Sequence, residues 1–210
     1  MSLVDAVQAQ PMTLAALVEA TGLSRATAHR LAVALEVHGL LARDGAGRFT
    51  LGPRLTGLDL AGLAQPALEA LRDATGESAQ LYVRRGDRRL CVASLESPHG
   101  LRTIVPVGMS LPLGVGSAGK VLGAGPGAMG ARWAESVEER ERGVASVSAP
   151  VRDAAGEVVA AVSVSGPIER TTRAPGRRYA EAVLEAAAAI AAALQRQTSS
   201  GSEPSAWTPS

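Results

Sequence analysis

The stretch from Thr13 to Leu55 constrains the fold of this chain more than any other part of the sequence. Thr13 can cap a helix whose apolar residues recur at helical spacing, and Gly22 follows where a left-handed residue can end it. Ser24 can cap a second helix, and the side chains available for its packing are Ala28, Leu31, Ala32, Ala34 and Leu35. Two helices joined by Thr21-Gly22-Leu23 predict a helix-turn-helix.

A β-hairpin is predicted directly after the second helix. Residues 40–43 can pair with residues 48–51 across a glycine-bearing turn, which makes the motif a winged helix-turn-helix. Residues 24–54 are locally basic, with five arginines against two acids, whereas the whole chain carries a net charge of +1: Arg25, Arg30, Arg43, Arg48 and Arg54 against Glu36 and Asp44. A basic stripe on a reading element is typical of a surface that binds phosphates.

Polar residues occupy the first two turns of the predicted recognition helix, where they can reach base edges and phosphates in the major groove. Together with two hairpin arginines they form the predicted DNA-binding set: Ser24, Arg25, Thr27, His29, Arg30, Arg43 and Arg48. His29 can contact DNA or simply support the helix. The alternative is a winged fold used only for protein contacts, with solvated arginines.

The amino-acid composition narrows the classes of protein to which this chain can belong. A chain of 210 residues with 46% apolar composition can form two small domains with real cores. Its single cysteine, Cys91, excludes an internal disulfide, and no signal peptide or membrane-length apolar run is present, so we expect a cytoplasmic protein. Aromatic residues make up 2% of the chain, which argues against binding of single-stranded nucleic acid by base stacking.

Four stretches that cover most of the chain resemble one family. They are residues 23–55, DATGESAQLYVRRGDRRLCVASLE, TIVPVGMSLPL and GVASVSAPVRDAAGEVVAAVSVSGPI. They look like the IclR-type bacterial transcription regulators. Within that family RATAHRLAVALE, TGESAQLY and VSGPIER are most similar to the actinobacterial branch that controls genes of leucine and related amino-acid biosynthesis.

The resemblance implies an α+β protein in which an N-terminal winged helix-turn-helix is joined by a linker helix to a GAF-like α/β effector-binding domain. The predicted borders are 1–55 for the DNA-binding domain, 56–63 for the linker helix, 64–197 for the effector domain and 198–210 for a disordered tail. A central antiparallel sheet with a small-molecule pocket is expected in the effector domain.

The residues themselves predict individual elements. We expect five helices: a short one within residues 1–10, one over 55–63, one from Gln65-Pro66 to about Gly76, one beginning near Val121, and a last one over Arg177–Gln197. Strand-like runs cover 80–84, 89–95, 103–107, 145–151 and 157–165.

The chain is shorter than the family pattern near Asp59 and Gly125. Relatives usually carry a helical segment at the second place that helps to cover the pocket, so either this lid is lost or residues are missing from the sequence.

A loop from Gly116 to Lys120 borders the effector pocket in the family. It lacks the spacing, and the Ser or Thr after lysine, that a nucleotide-binding loop needs. The resemblance implies instead that Ser117, Ala118 and Gly119 hold an effector carboxylate through backbone N–H groups and a helix dipole. The alternative is an ordinary glycine turn at a helix start.

Serines on two predicted strands complete the effector set. Ser163 and Ser165 alternate with valines, so their hydroxyls share one face, and buried hydroxyls need partners that a polar ligand could supply. Ser146 and Ser148 repeat the arrangement, with Ser146 the better match to the family, and Ser136 lies where relatives can carry an acidic residue. The predicted set is Ser117, Ala118, Gly119, Ser136, Ser146, Ser163 and Ser165. Alternatively, these serines face solvent or bond across the sheet.

Catalytic chemistry has little support in the sequence. The histidines stand at 29, 38 and 99, Cys91 lies in an apolar run, and neither metal-ligand spacing nor a nucleophile elbow is found. We therefore predict no enzyme, metal or cofactor.

The predicted function is that of a transcription regulator, a repressor or a dual regulator, of leucine or other amino-acid biosynthesis genes. Its partners would be a double-stranded operator, a small organic acid or amino acid, and further copies of the chain in a homodimer or homotetramer, with no membrane. The alternatives are a constitutive DNA-binding regulator with a degenerate effector domain, and a small-molecule sensor or enzyme that retains a winged domain.

Overall fold

The computed structural model describes residues 2–124 and 132–200. Contacts within the chain separate two units, one ending at Leu60 and the other spanning Ala61–Gln197. The segment around Gly125, where a lid is expected in the family, and the predicted tail beyond Ser200 lie outside the described residues.

The first unit is the winged helix-turn-helix expected from the sequence. Its elements are α1 (Leu3–Ala9), α2 (Leu14–Thr21), α3 (Arg25–Val37), β1 (Leu41–Arg43) and β2 (Phe49–Leu51), with β1 and β2 antiparallel. The predicted caps are confirmed: the Thr13 hydroxyl accepts the N–H of Ala16, the Ser24 hydroxyl accepts that of Thr27, and Gly22 ends α2 at φ 71°.

The core of this unit lies between the three helices and the hairpin. Leu17, Leu41 and Phe49 are its largest fully buried side chains. Our expectation that Leu31 and Ala34 pack inward is wrong, because α3 buries a narrow face made of Ala28 and Ala32, four residues apart. Leu31 lies about 100° around the helix from Ala32 and is 45% exposed.

A single helix, α4 (Pro53–Thr75), follows the hairpin. The sequence predicts two helices separated before Gln65-Pro66, and that break is absent. Buried apolar residues recur at spacings of three or four on both sides of Pro66: Leu60, Ala64, Leu68 and Leu71. Their burial outweighs the roughly 3 kcal/mol that an internal proline costs a helix.

The second unit is built on one sheet. In chain order its further elements are β3 (Ser78–Arg85), β4 (Arg88–Leu95), β5 (Ser110–Pro112), α5 (Ser117–Gly123), β6 (Ala134–Val137), β7 (Val144–Arg152), β8 (Val158–Pro167), α6 (Ile168–Thr171) and α7 (Pro175–Ser200). The six strands lie in the order β5-β4-β3-β8-β7-β6, and all neighbours are antiparallel. The α+β architecture with an antiparallel central sheet is confirmed.

This unit differs from the sequence prediction in several details, among them β5 and α6, which were not predicted. Residues 103–107 form no strand, since Pro106 lacks an N–H and Gly108 instead donates its own to the Cys91 carbonyl. Strand β6 was not predicted, because its Ala and Glu have low β propensity and it is held by pairing with β7. Helix α7 extends to Ser200, three residues into the predicted tail.

Helix α5 packs on the sheet and covers the face on which the candidate effector residues lie. Val121 and Leu122 of α5 join Tyr82, Cys91 and Val105 in one buried cluster. Within the described ranges, no helix combines the length and apolar character needed to cross a bilayer.

Candidate functional site

The N-terminal part of α3 carries the candidate DNA-contacting side chains. The Ser24 hydroxyl accepts the Thr27 N–H at 3.2 Å and lies 2.9 Å from the Thr27 hydroxyl, so both hydroxyls hold the start of the helix. Arg25, His29 and Arg30 are exposed, and no hydrogen bond or ion pair joins their side chains to any other described residue. These three side chains can therefore reach a duplex without losing an internal contact.

The hairpin arginines are bound within the protein. Arg43 donates to the Glu36 carboxylate at 3.2 Å and lies 4.1 Å from the centre of the Phe49 ring. Arg48 pairs with Asp44 at 2.7 Å, and the backbone N–H of Arg48 lowers the pKa of that carboxyl. Among the arginines of the predicted DNA-binding set, Arg25 and Arg30 on α3 are thus unpaired within the described residues, whereas Arg43 and Arg48 on the hairpin are paired.

The predicted effector residues meet around one small cavity in the second unit. Its volume is about 30 Å³, and it is lined by Tyr82, Arg89, Val105, Gly116, Ser117, Ala118, Ser136, Arg140, Val144, Ser146, Ser163 and Ser165. Every predicted effector residue except Gly119 belongs to this lining. A Cβ on Gly119 would lie 2.3 Å from the Leu113 carbonyl oxygen, so that glycine permits a close approach of α5 to the preceding loop.

A chain of serine hydroxyls crosses the floor of the cavity. The Ser117 hydroxyl lies 2.7 Å from those of Ser146 and Ser148, and Ser148 donates to Ser163 at 2.9 Å. Ser165 donates to the buried Gln80 side-chain oxygen at 3.0 Å. These serine hydroxyls, which we predicted as ligand contacts, thus already have protein partners. Ser148, which matches the family pattern less well than Ser146, links β7 to β8 through Ser163.

The Gly116–Lys120 stretch begins α5 earlier than the sequence suggested, with Gly116 as the N-cap at φ 80°. The Gly116 N–H is donated to the Glu139 carboxylate at 3.1 Å, and Lys120 pairs with the same carboxylate. Burial raises the pKa of Glu139, but the hydrogen bonds from Lys120 and Gly116 outweigh it and leave that pKa below its usual value. The N–H that the Glu139 carboxylate accepts is that of the N-cap, one residue before the predicted carboxylate-binding residues Ser117, Ala118 and Gly119.

Arg89 is the cavity residue that sequence reasoning missed. It lies on β4, 3% exposed, and its Nη1 donates to the carbonyls of Pro112 and Val115 while its Nε has no hydrogen-bond partner. Its guanidinium lies 5.5 Å from the centre of the Tyr82 ring. The strand's alternation contained a signal, because Arg89 is two residues before the apolar Cys91 and so shares its buried face.

No group of three His, Cys, Asp or Glu side chains that could hold a metal ion occurs in ranges 2–124 and 132–200.

Two family profiles match the chain. One, described as "IclR helix-turn-helix domain", matches residues 6–45, and the other, "Bacterial transcriptional regulator IclR C-terminal", matches residues 53–126 and 130–192. The second profile alone covers more than half of the chain.

Comparisons with individual proteins also show similarity to transcriptional regulators. The Glycerol operon regulatory protein of Streptomyces griseus is 32% identical over 80% of this chain and 83% of its own length. The HTH-type transcriptional regulator TtgV of Pseudomonas putida is 36% identical over 53% of this chain, and the chain spans about half of that relative's length, 46%. A crystal structure of an IclR-family regulator from Rhodococcus sp. superposes with a TM-score of 0.59 at 29% identity and covers 92% of both chains.

Proposed function

The chain belongs to the IclR family of bacterial transcriptional regulators, and on this premise we propose that it binds a specific operator and that a small carboxylic or amino acid controls its occupancy. The observation that carries the proposal is the winged helix-turn-helix whose α3 presents Arg25 and Arg30 exposed and unpaired among the described residues. Guanidiniums in this place can bind phosphates and guanine edges.

The operator contains two half-sites, and the chain binds it as a homodimer or homotetramer in the cytoplasm. One winged domain supplies one recognition helix per half-site, so two copies match a pseudo-palindromic sequence. The effector acts by binding more tightly to one arrangement of the DNA-binding domains than to another, because a ligand with equal affinity for both shifts nothing.

The regulated genes belong to amino-acid biosynthesis, leucine in particular, and the protein acts on them as a repressor or as a dual regulator. This part of the proposal is supported by the similarity of RATAHRLAVALE, TGESAQLY and VSGPIER to regulators of those genes.

A fluorescence-anisotropy titration tests the proposal. The full chain is titrated against the DNA upstream of its own gene, the DNA upstream of the leucine-biosynthesis genes and a scrambled duplex, with and without branched-chain amino acids and their 2-oxo acids. Tight binding to one upstream duplex that a metabolite shifts supports the regulator. Equal affinity for the scrambled duplex at physiological salt contradicts it, because electrostatic binding alone is independent of sequence.

A second candidate, constitutive operator binding with a degenerate effector domain, is favoured by the satisfied serine network. Ser117, Ser148 and Ser163 bond to one another, and Glu139 takes the Gly116 N–H. Salt-sensitive operator binding that no tested metabolite shifts would support this candidate over the first.

A further inference from the structure

Arg89 is a buried cation without an acidic partner among the described residues. Among residues 2–124 and 132–200 no carboxylate lies within ion-pair distance of it; its Nη1 contacts are two backbone carbonyls, and its Nε has no partner. Buried cations in proteins are nearly always paired, because an isolated one has lost its hydration without compensation. Burial lowers the pKa of this arginine, although guanidinium stays protonated in proteins.

The described lining of the cavity is cationic and contains no acid. Arg140 is the second guanidinium, and the nearest carboxylate oxygen to it, on Glu141, is 3.7 Å away. Glu139, the acid nearest to the loop at Gly116, is paired with Lys120. A ligand carboxylate would thus find two positive side chains, whereas a ligand ammonium would find no described carboxylate in the lining to accept it.

The size and remaining chemistry of the cavity fit the head of a small acid. A volume of about 30 Å³ holds about two water-sized groups, which is the space of the two oxygens of one carboxylate. The Ser146 hydroxyl, whose contact with Ser117 can run in either direction, can rotate to donate to such an oxygen, and the apolar Val105 and Val144 suit an aliphatic chain.

We propose that Arg89 binds the carboxylate of the effector and that the cavity selects small acids without an α-ammonium group, such as 2-oxo acids, over the corresponding amino acids. This inference rests on the proposed function, since it names the ligand class and the anchoring residue of that regulator's effector site. A carboxylate there would supply the counter-charge that Arg89 lacks.

Isothermal titration of the full wild-type chain without DNA is the first test. The probes are 4-methyl-2-oxopentanoate, its neutral primary amide and L-leucine, with 3-methyl-2-oxobutanoate and L-valine as a shorter pair. We expect both oxo acids to bind and the amide and the amino acids to bind about tenfold more weakly or worse. Equal affinity for acid and amide, equal affinity for acid and amino acid, or no binding of either oxo acid at millimolar concentration would overturn the proposal.

Substitutions on β4 give the second test. Arg89→Met removes the cavity charge at nearly constant length, and Arg88→Met removes a charge from the adjacent exposed residue, which bonds to Ser110. We expect Arg89→Met to weaken oxo-acid binding about tenfold or more and Arg88→Met to leave it unchanged. A folded Arg89→Met protein that binds the acid as tightly as the wild type refutes the role of Arg89.

The two proposals fail separately. If Arg89→Met does not fold, Arg89→Lys keeps the charge but not the paired N–H groups, and the wild-type probe series still decides the question of ligand class. Operator affinity without ligand is measured on the same proteins. Acid binding without any operator preference would refute the DNA-binding function and leave the Arg89 site standing.

Discussion

Arg30 is the residue whose loss should act on DNA binding alone. Its side chain is exposed on α3 and has no bond to another described residue, so Arg30→Ala should leave the melting temperature unchanged. We expect operator affinity to fall by about 1–3 kcal/mol if the guanidinium reads a base, or the salt slope to fall by about one if it binds a phosphate. Anisotropy titrations at several salt concentrations measure both.

The matched control for this change is Arg173→Ala. Arg173 lies in the second unit, its side chain is 71% exposed, and it pairs with Glu138 at 3.0 Å. Its replacement by alanine therefore removes one positive charge, as Arg30→Ala does, but at a site outside α3. Equal losses of operator affinity in the two variants would mean that net charge, and not Arg30, carries the effect.

Cys91 should be inert in the native protein. Burial raises the pKa of its thiol to about 12, so at pH 8 only about one molecule in ten thousand carries the reactive thiolate. Ellman's reagent is therefore expected to react slowly with the folded chain and at once in guanidinium chloride. Rapid labelling of the folded protein would show that β4 opens readily at this position.

Replacing both Ser163 and Ser165 by alanine tests the role of the serine hydrogen-bond network. The change removes a partner of Ser148 and a partner of Gln80, so it should cost about 1–2 kcal/mol of stability for each bond and blunt the response to the effector. Operator affinity without ligand should stay unchanged. An intact effector titration in a folded double variant would remove these serines from the site.

Among the secondary-structure elements, α5 requires one glycine, Gly119, to pack against the preceding loop. A Cβ at Gly119 would lie 2.3 Å from the Leu113 carbonyl oxygen and 2.6 Å from Arg89 Nη1, whereas one at Gly123 of the same helix would meet Leu113 atoms at 3.8 Å or more. Gly119→Ala should therefore destabilise the protein by about 2 kcal/mol or more, and Gly123→Ala should not. Urea denaturation compares the two, and equal midpoints would contradict this account of α5.

The elements that could be predicted from the sequence are those determined by nearby residues. Ser24 and Thr13 satisfy backbone donors three residues away, and Gly22 takes a left-handed conformation that glycine adopts freely, so the helix-turn-helix follows from local chemistry. The break expected before Pro66 was wrong because the burial of Leu60, Ala64, Leu68 and Leu71 on both sides of it overrides a local preference.

The cavity could be predicted only in part. The pleat of β8 places Ser163 and Ser165 on one face whatever surrounds them, and resemblance added Ser117 and Ser146. The lack of an acidic partner for Arg89, in contrast, depends on residues of β5, α5 and the loop between them, so it becomes visible only when the tertiary structure brings them together. Their roles in effector binding stay predictions.

At the scale of the whole molecule, one helix connects the two units in the chain. The boundary between them falls after Leu60, inside α4, which runs from Pro53 to Thr75 without a break in its backbone. Coupling between an effector site and a DNA site is a free energy that both ligands share, and it needs a physical connection with two arrangements. We therefore expect α4 to be required for the effector response, although it contributes no residue to the cavity lining.

Gly62 offers the sharpest test of that role. Gly62→Pro adds a second proline to the one already at Pro66, removes a further helical N–H next to the boundary and should destabilise α4 there by about 3 kcal/mol, while leaving the α3 arginines and the cavity lining untouched. Gly62→Ala is the control, because nothing lies within 4 Å of the added Cβ and alanine favours a helix. Operator affinity is measured with and without 4-methyl-2-oxopentanoate, and the ratio of the two affinities should approach one in the proline variant and stay at the wild-type value with alanine. A proline variant that binds both partners and keeps the wild-type ratio would mean that the signal reaches the DNA-binding domain by another route.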